Sequence, residues 1–257
     1  MILAIDVGNT NIVVGCIDTT KKYFEARLST DRSSTVEEYA VKIKSVLDLY
    51  SIDTQNIDGG IISNVVSELS GVLRNAVHMV IGKEPLIVGP GIKTGVNIKI
   101  DNPAELGSDL LVGAVAALNE YPLPQIIFDF GTATTASVIN SKGEYIGGLI
   151  HAGVRISIDS LFQKTSQLPN IEICAPDKVI GTNSIDCMKS GSVYGAACMV
   201  DGIIRRIERE LGEKAVVIAT GGIAQCIIPY CESDIIYNDN LLLDGLLLIY
   251  NKNVKGA

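Results

Sequence analysis

The sequence predicts an α/β protein built from two related lobes, on three observations. The first is an internal repeat. Residues 3–18 read LAIDVGNTNIVVGCID and residues 126–140 read IIFDFGTATTASVIN. Each is an apolar run, then Asp-x-Gly, then a small polar turn and a second apolar run, the pattern of a β-hairpin whose first strand ends in an acidic residue. The second observation is order: strand patterns open each half and helical patterns follow. The third is composition. Of 257 residues 47% are hydrophobic, with no Trp and four Phe, so the core must be built from Ile, Leu, Val and Ala. That length suits one large domain or two intimate ones. No Pro/Gly/Ser-rich linker divides the chain, so lobes 1–110 and 111–257 are expected to be integrated, with the repeated hairpins facing across a cleft.

Residues 2–7 and 11–17 read as strands and Tyr23–Leu28 as a third. A helix is expected from about Thr35 to Tyr50, because Val36, Tyr39, Ala40, Ile43 and Val46/Leu47 share one face. Ser33, Ser34 and Thr35 are its cap candidates, with Glu37 and Glu38 in the first turn. Residues 59–64 (GGIISN) read as a buried strand with a polar end, 65–80 as helix and 85–88 as a short strand. Residues 89–101 carry glycines and a proline without periodicity and read as a loop or irregular hairpin. Residues 103–118 look helical. After the second hairpin, 147–153 read as turn-rich and 155–165 as helix. Residues 184–212 read as a long helix interrupted near Gly191–Gly195. Residues 216–220 read as a strand running into Gly221–Gly222 and another helix, and 240–250 as a final apolar helix.

Composition also excludes. The net charge is −8 and no basic stretch stands out, which argues against a nucleic-acid partner. No run approaches the length of a membrane span. The start MILAIDVGN lacks the charged, apolar and cleavage regions of a signal peptide, so the expected location is cytoplasmic. Six scattered cysteines without a CxxC pair, and two histidines distant from them, read as free thiols in a reducing compartment rather than a zinc site.

The chemistry concentrates in the two turns. Gly8, Asn9, Thr10 and Asn11, and Gly131, Thr132, Thr134 and Thr135, offer backbone N–H groups and hydroxyls with little bulk. Two such turns could cradle a polyphosphate, with Asp6 and Asp129 placed for its cations. On the residues alone Asp109 reads first as a capping or helix-surface carboxylate, ahead of a catalytic base. Gly221 and Gly222 read either as a close approach to a ligand or as a packing device at a helix start.

These segments resemble the acetate kinase/actin/Hsp70 superfamily, whose members bind ATP between two ribonuclease-H-like lobes. DVGNTNIV (6–13) resembles its first phosphate motif, DFGTATT (129–135) its second and ATGG (219–222) its adenosine motif. Within that superfamily the chain is similar to the type III pantothenate kinases. DxGNTN, GIKTGVNIKIDNPAELGSD (91–109), DFGTATT, GGLIHAGVRISIDSL (147–161) and TNSIDCMKSGSVYGAACMVDGIIRRI (182–207) resemble that family in the same order. The resemblance implies ATP-dependent phosphorylation of pantothenate to 4′-phosphopantothenate, the first step of coenzyme A biosynthesis. It also implies Mg²⁺ or another divalent cation, K⁺ or NH₄⁺, and a homodimer. The apolar excess over 193–207 suits a dimer or a buried core helix equally.

By the same resemblance Asp109 is the catalytic base. Asp6, Val7, Gly8, Asn9, Thr10, Asn11, Ile12, Val13, Thr132, Gly221 and Gly222 serve the nucleotide. Asp6 supports Mg²⁺, in part through water, and Asp129 binds the monovalent cation. Ile100, Gly107, Ser108, Asp109, Leu110 and Ser184 face the acceptor. His151 is expected to be a non-catalytic loop residue and Arg155 a brace for a loop or dimer contact. Two positions depart from the family pattern. Ile100 stands where the family has Tyr, and Leu110 follows Asp109 where it has Arg. Leu supplies none of the charge or donors of a guanidinium. Three readings stay open: pantothenate in a rearranged pocket, another small alcohol, or a nucleotide-binding paralogue with a regulatory role.

Overall fold

In β1 (Ile2–Val7) every residue is buried, so the strand reads as a continuous apolar run broken only by Asp6. It pairs antiparallel with β2 (Asn11–Ile17), Asp6 opposite Val13, and β2 pairs antiparallel with β3 (Lys22–Ser29). On its other side β1 runs parallel to β4 (Gly59–Asn64), Asp6 opposite Ser63, and β4 runs parallel to β5 (Leu86–Ile87). The sheet order is β3-β2-β1-β4-β5. One face, with Leu3, Ile5 and Val7, packs on Tyr39, Ile43 and Leu47 of α1 (Val36–Leu49) and Leu73 and Val77 of α2 (Ser70–Ile81). The other face, with Ile2, Ala4 and Ile61, packs on Val112 and Val115 of α3 (Ser108–Glu120) and Leu243, Leu246 and Ile249 of α7 (Leu241–Val254). Thr35 and Glu38 close a capping box at the start of α1.

The second sheet repeats this plan. β7 (Gln125–Phe130) pairs antiparallel with β8 (Ala133–Ile139), which pairs antiparallel with β9 (Glu144–Ala152). β7 also runs parallel to β10 (Val216–Thr220), and β10 parallel to β11 (Ile236–Tyr237). With the two-residue β6 (Asn97–Ile98) beyond β9, the order is β11-β10-β7-β8-β9-β6. Strands β7 to β11 therefore reproduce the order of β1 to β5. Ile126, Phe128 and Phe130 pack on Val193, Ala197, Val200 and Ile204 of α5 (Ser184–Leu211) and on Val154 and Ile158 of α4 (Val154–Lys164). The short α6 (Ala224–Ile227) follows β10.

The computed structural model describes residues 1–254, and it divides into two units. The first comprises Met1–Val96, Asn102–Ala116 and the segment from Asn240 onward; the second comprises Asn97–Asp101 and Ala117–Asp239. The C-terminal helix α7 thus belongs with the first sheet rather than with residues 111–257, because its apolar face is buried against Ile2, Ala4 and Val112.

Four expectations are corrected. Residues 103–118 are not one helix: a 3₁₀ turn, Pro103–Glu105, precedes α3, which starts at Ser108. Residues 65–80 likewise divide into a 3₁₀ turn, Ser67–Leu69, and α2. Residues 147–152 are strand, within β9, and Gly153 is the N-cap of α4. Gly148 lies so near β8 that a Cβ there would fall 2.1 Å from the Ala136 carbonyl oxygen. Its glycine signals close strand approach rather than a bend. Finally, α5 runs unbroken through Gly191 and Gly195. Each interior glycine costs about 1 kcal/mol, less than the helix gains by burying Val193, Ala197, Val200 and Ile204.

Candidate active site

In the first unit Asp6 is buried near the end of β1, just before the turn into β2. The Gly8 N–H donates to the Asn11 carbonyl at 3.0 Å, closing the turn. Thr30, just past β3, fixes it from the side: its Oγ1 donates to the Gly8 carbonyl at 2.7 Å and its N–H to the Thr10 carbonyl at 3.0 Å. Arg32 Nη2 donates to Asn9 Oδ1 at 3.0 Å, which sets a cation beside the turn. Val7 and Ile12 are core residues, so only their backbone is available to a ligand, and Val13 is half-buried. Asn11 is exposed at the start of β2.

The same end of this sheet holds Asp109. The Gly107 carbonyl accepts the Leu111 N–H at 3.1 Å, which makes Ser108 and Asp109 the first two residues of α3. Ser108 Oγ accepts from Ser63 Oγ and from the Asn64 N–H, both at 3.0 Å. Ser63 stands opposite Asp6 in the parallel β1–β4 ladder, so this link ties the start of α3 to the strand next to the one that carries Asp6. The Leu110 N–H donates to Asp109 Oδ1 at 2.7 Å. A Cβ on Gly107 would lie 2.6 Å from that oxygen, so the side chain of Asp109 folds into the space glycine leaves. Burial raises the Asp109 pKa above the usual carboxylate value, against the lowering effect of backbone N–H donation from Leu110. A half-buried carboxylate with a raised pKa is suited to accept a proton near neutral pH. Leu110 beside it is half-buried.

In the second unit Asp129 lies opposite Thr135 in the β7–β8 ladder and opposite Thr220 in the parallel β7–β10 ladder. The Gly131 N–H donates to the Ala133 carbonyl at 3.0 Å, and Thr132 is exposed at the tip. Gly221 follows Thr220 with φ +94°, and a Cβ there would fall 2.6 Å from Asp129 Oδ1 and 2.7 Å from the Phe130 carbonyl. Only glycine fits. The pair 221–222 is thus brought against the second Asp-x-Gly motif, with Gly222 exposed in the turn before α6. Ile100 is half-buried just beyond β6.

Ser184 begins α5, whose N-cap Asn183 accepts from the Asp186 N–H. It is exposed and lines a groove of about 680 Å³ with Thr134, His151, Leu161, Gly195 and Met199. His151 is not in a loop: it lies in β9 opposite Thr134. Arg155 donates to the Ile171 carbonyl at 3.0 Å and so braces a loop. Among the described residues no cluster of three or more His, Cys, Asp or Glu is placed to hold a metal, and no helix is long and apolar enough to cross a membrane. Burial pushes the thiols of Cys16 and Cys231 up to about 12, which keeps them un-ionised. Sequence reasoning missed Ser63, Asn64 and Arg32. The polar end of GGIISN was the available signal for the first two, and RLSTDRSS (27–34) for the third.

Two Asp-x-Gly hairpins on sheets of one topology, with a glycine turn beside the second, define a member of the actin-like ATPase fold. MreB 5 of Spiroplasma citri, solved bound to AMPPNP, superposes with TM-score 0.57 at 12% identity, covering 99% of this chain and 97% of that one. The family description of type III pantothenate kinases matches residues 2–206. Curated type III pantothenate kinases from Exiguobacterium sp. strain AT1b and Halalkalibacterium halodurans are 45% and 46% identical, each over 99% of this chain and all of the relative. The chain belongs to the type III pantothenate kinases, enzymes that phosphorylate pantothenate with ATP in coenzyme A biosynthesis.

Proposed function

We propose that the chain carries out its family's reaction, transfer of the γ-phosphoryl group of ATP to the primary hydroxyl of pantothenate, with Asp109 as the base. The observation that carries this is Asp109 itself: a half-buried carboxylate of raised pKa, set at a helix start that is tied to β4, the strand paired with that of Asp6. Asp109 accepts the hydroxyl proton as the oxygen attacks phosphorus. The turn 8–11 and Thr132 bind phosphate oxygens through N–H and hydroxyl donors, with Arg32 adding a cation. Gly221 and Gly222 let the backbone approach the nucleotide.

The donors fit the ions this chemistry uses. Asp6 offers a hard carboxylate oxygen, and a single carboxylate suits Mg²⁺, which keeps most of its shell as water and phosphate oxygens. Once bound, the ion neutralises charge on the transferring phosphate. Asp129 Oδ1 and the Phe130 carbonyl converge beside Gly221, an oxygen set suited to K⁺ or NH₄⁺. Ile100, Gly107, Ser108, Leu110 and Ser184 serve the acceptor. The partner is a second copy of the chain, a reading supported by Ala196 and Met199, which are half-buried on the groove face of α5. The acidic composition supports a protein without a nucleic-acid partner, and the free thiols suit a reducing cytoplasm. The two units are each read as a ribonuclease-H-like lobe.

The test is mass detection of 4′-phosphopantothenate from ATP, Mg²⁺ and pantothenate, with and without K⁺ or NH₄⁺. Product that disappears in Asp109→Asn supports the proposal, and ATP binding without product sinks it. Ile100→Tyr with Leu110→Arg restores the family's residues. A charged contact contributes about 1.5–3 kcal/mol, so pantothenate kcat/KM is expected to rise about tenfold or more. A fall would show that the acceptor pocket is organised differently here.

A further inference from the structure

We infer that the Ser63–Ser108 hydroxyl pair is a positioning device that holds the start of α3, and with it Asp109, at the end of the sheet beside Asp6. The inference rests on the assignment of Asp109 as base. The Ser108 hydroxyl accepts two hydrogen bonds, from Ser63 Oγ and the Asn64 N–H at 3.0 Å each, which use both of its lone pairs. Ser63 is fully buried, so its only role is inside the protein. Its place is fixed by the ladder, where it stands opposite Asp6. Asn64 is itself locked. Its side chain accepts from the Val66 N–H at 2.8 Å and donates to the Val66 carbonyl at 2.9 Å and to Ser70 Oγ at 2.8 Å. The anchor is therefore rigid on the β4 side and grips α3 at the residue before the carboxylate.

Nothing else described for this helix start does the same work. The preceding 3₁₀ turn ends at Glu105, and Leu106 leaves it in extended conformation. Gly107 lacks a side chain to pack. Burial of Val112 and Val115 holds the body of α3, and the two hydroxyls supply the lateral restraint at its first turn. A base must sit within hydrogen-bond reach of the proton it takes, and a displacement of about 1 Å can lower the rate by roughly 10²-fold.

The experiment measures kcat and both KM values for wild type, Ser63→Ala, Ser108→Ala, the double variant and Asp109→Asn, with melting temperatures. The expected result is a kcat lowered about tenfold in Ser63→Ala, at least as much in Ser108→Ala, which also loses the Asn64 N–H bond, and no further in the double variant than in Ser108→Ala, because both changes break the shared hydroxyl contact. The KM for ATP should stay within about twofold, because the nucleotide turn is untouched. A purely structural role would lower stability without that split. Ser108→Ala, at a half-buried site, decides the matter if Ser63→Ala does not fold. Folded Ser108→Ala with full kcat overturns the inference, as do losses that multiply in the double variant. Either outcome leaves the kinase reading intact provided wild type makes product and Asp109→Asn does not. Absence of wild-type product fails the kinase reading instead.

Discussion

The two halves of the molecule use one strand plan, and set different chemistry beside the same aspartate. Asp6 and Asp129 both end the first strand of a hairpin, and each faces a buried hydroxyl residue, Ser63 or Thr220, on the parallel strand. Beyond that the units diverge. In the first, Ser63 reaches Ser108 and so ties in a helix that carries a third carboxylate. In the second, Thr220 is followed by Gly221, whose missing side chain lets the backbone close on Asp129. The first unit adds a functional group and the second removes bulk. A duplicated scaffold can in this way carry a base beside one aspartate and a close backbone approach beside the other.

The largest test of that asymmetry is Asp109→Asn, expected to lower kcat by about 10²–10⁴-fold. The same change has a second signature. Because burial raises the pKa of Asp109, the fold favours its protonated form. The stability this contributes is present at low pH and lost as pH rises through the folded pKa. At neutral pH the ionised carboxylate is a burden on the fold. Asp109→Asn should therefore raise the melting temperature at pH 7, with the gain shrinking as pH falls toward the ordinary carboxylate value of 3.8. An unchanged or lower melting temperature at pH 7 would show that the site does not desolvate this group. In wild type the acid limb of kcat/KM should lie above the position of an exposed carboxylate, since rate is lost as the base protonates.

Gly221→Ala probes the other half. Its Cβ would overlap Asp129 Oδ1 and the Phe130 carbonyl at an unfavourable φ, a strain of about 1–3 kcal/mol or more. Chemical denaturation should show that loss together with a raised KM for ATP. Gly8→Ala is the matching change in the first hairpin, where a Cβ meets only the Asn11 carbonyl, at 3.1 Å. It should leave stability nearly intact, and equal destabilisation by the two would erase the distinction between the units. The smallest effect on catalysis belongs to Thr35→Ala, in the capping box of α1. Loss of the capping box should cost about 1 kcal/mol and leave kcat unchanged.

Local sequence determined a great deal here. A strand ending in Asp-x-Gly is visible wherever it occurs, because apolar runs and small polar turns are properties of neighbouring residues. The two hairpins, α1 with its cap, and β4 with its polar end were all legible on that basis. The glycines were misread in both directions. Gly148, in the segment expected to be turn, is a strand residue pressed against β8, and Gly191 and Gly195 lie inside an unbroken helix. A glycine records that space or freedom is needed, but only the neighbouring chain says which. The sequence also named Asp6, Asp109 and the Gly221–Gly222 pair. It could not show that Ser63 grips Ser108, that Gly221 closes on Asp129, or that α7 returns to the first sheet. Those are contacts between residues far apart in the chain, decided by which surfaces can be buried together and which hydrogen bonds then remain to be made.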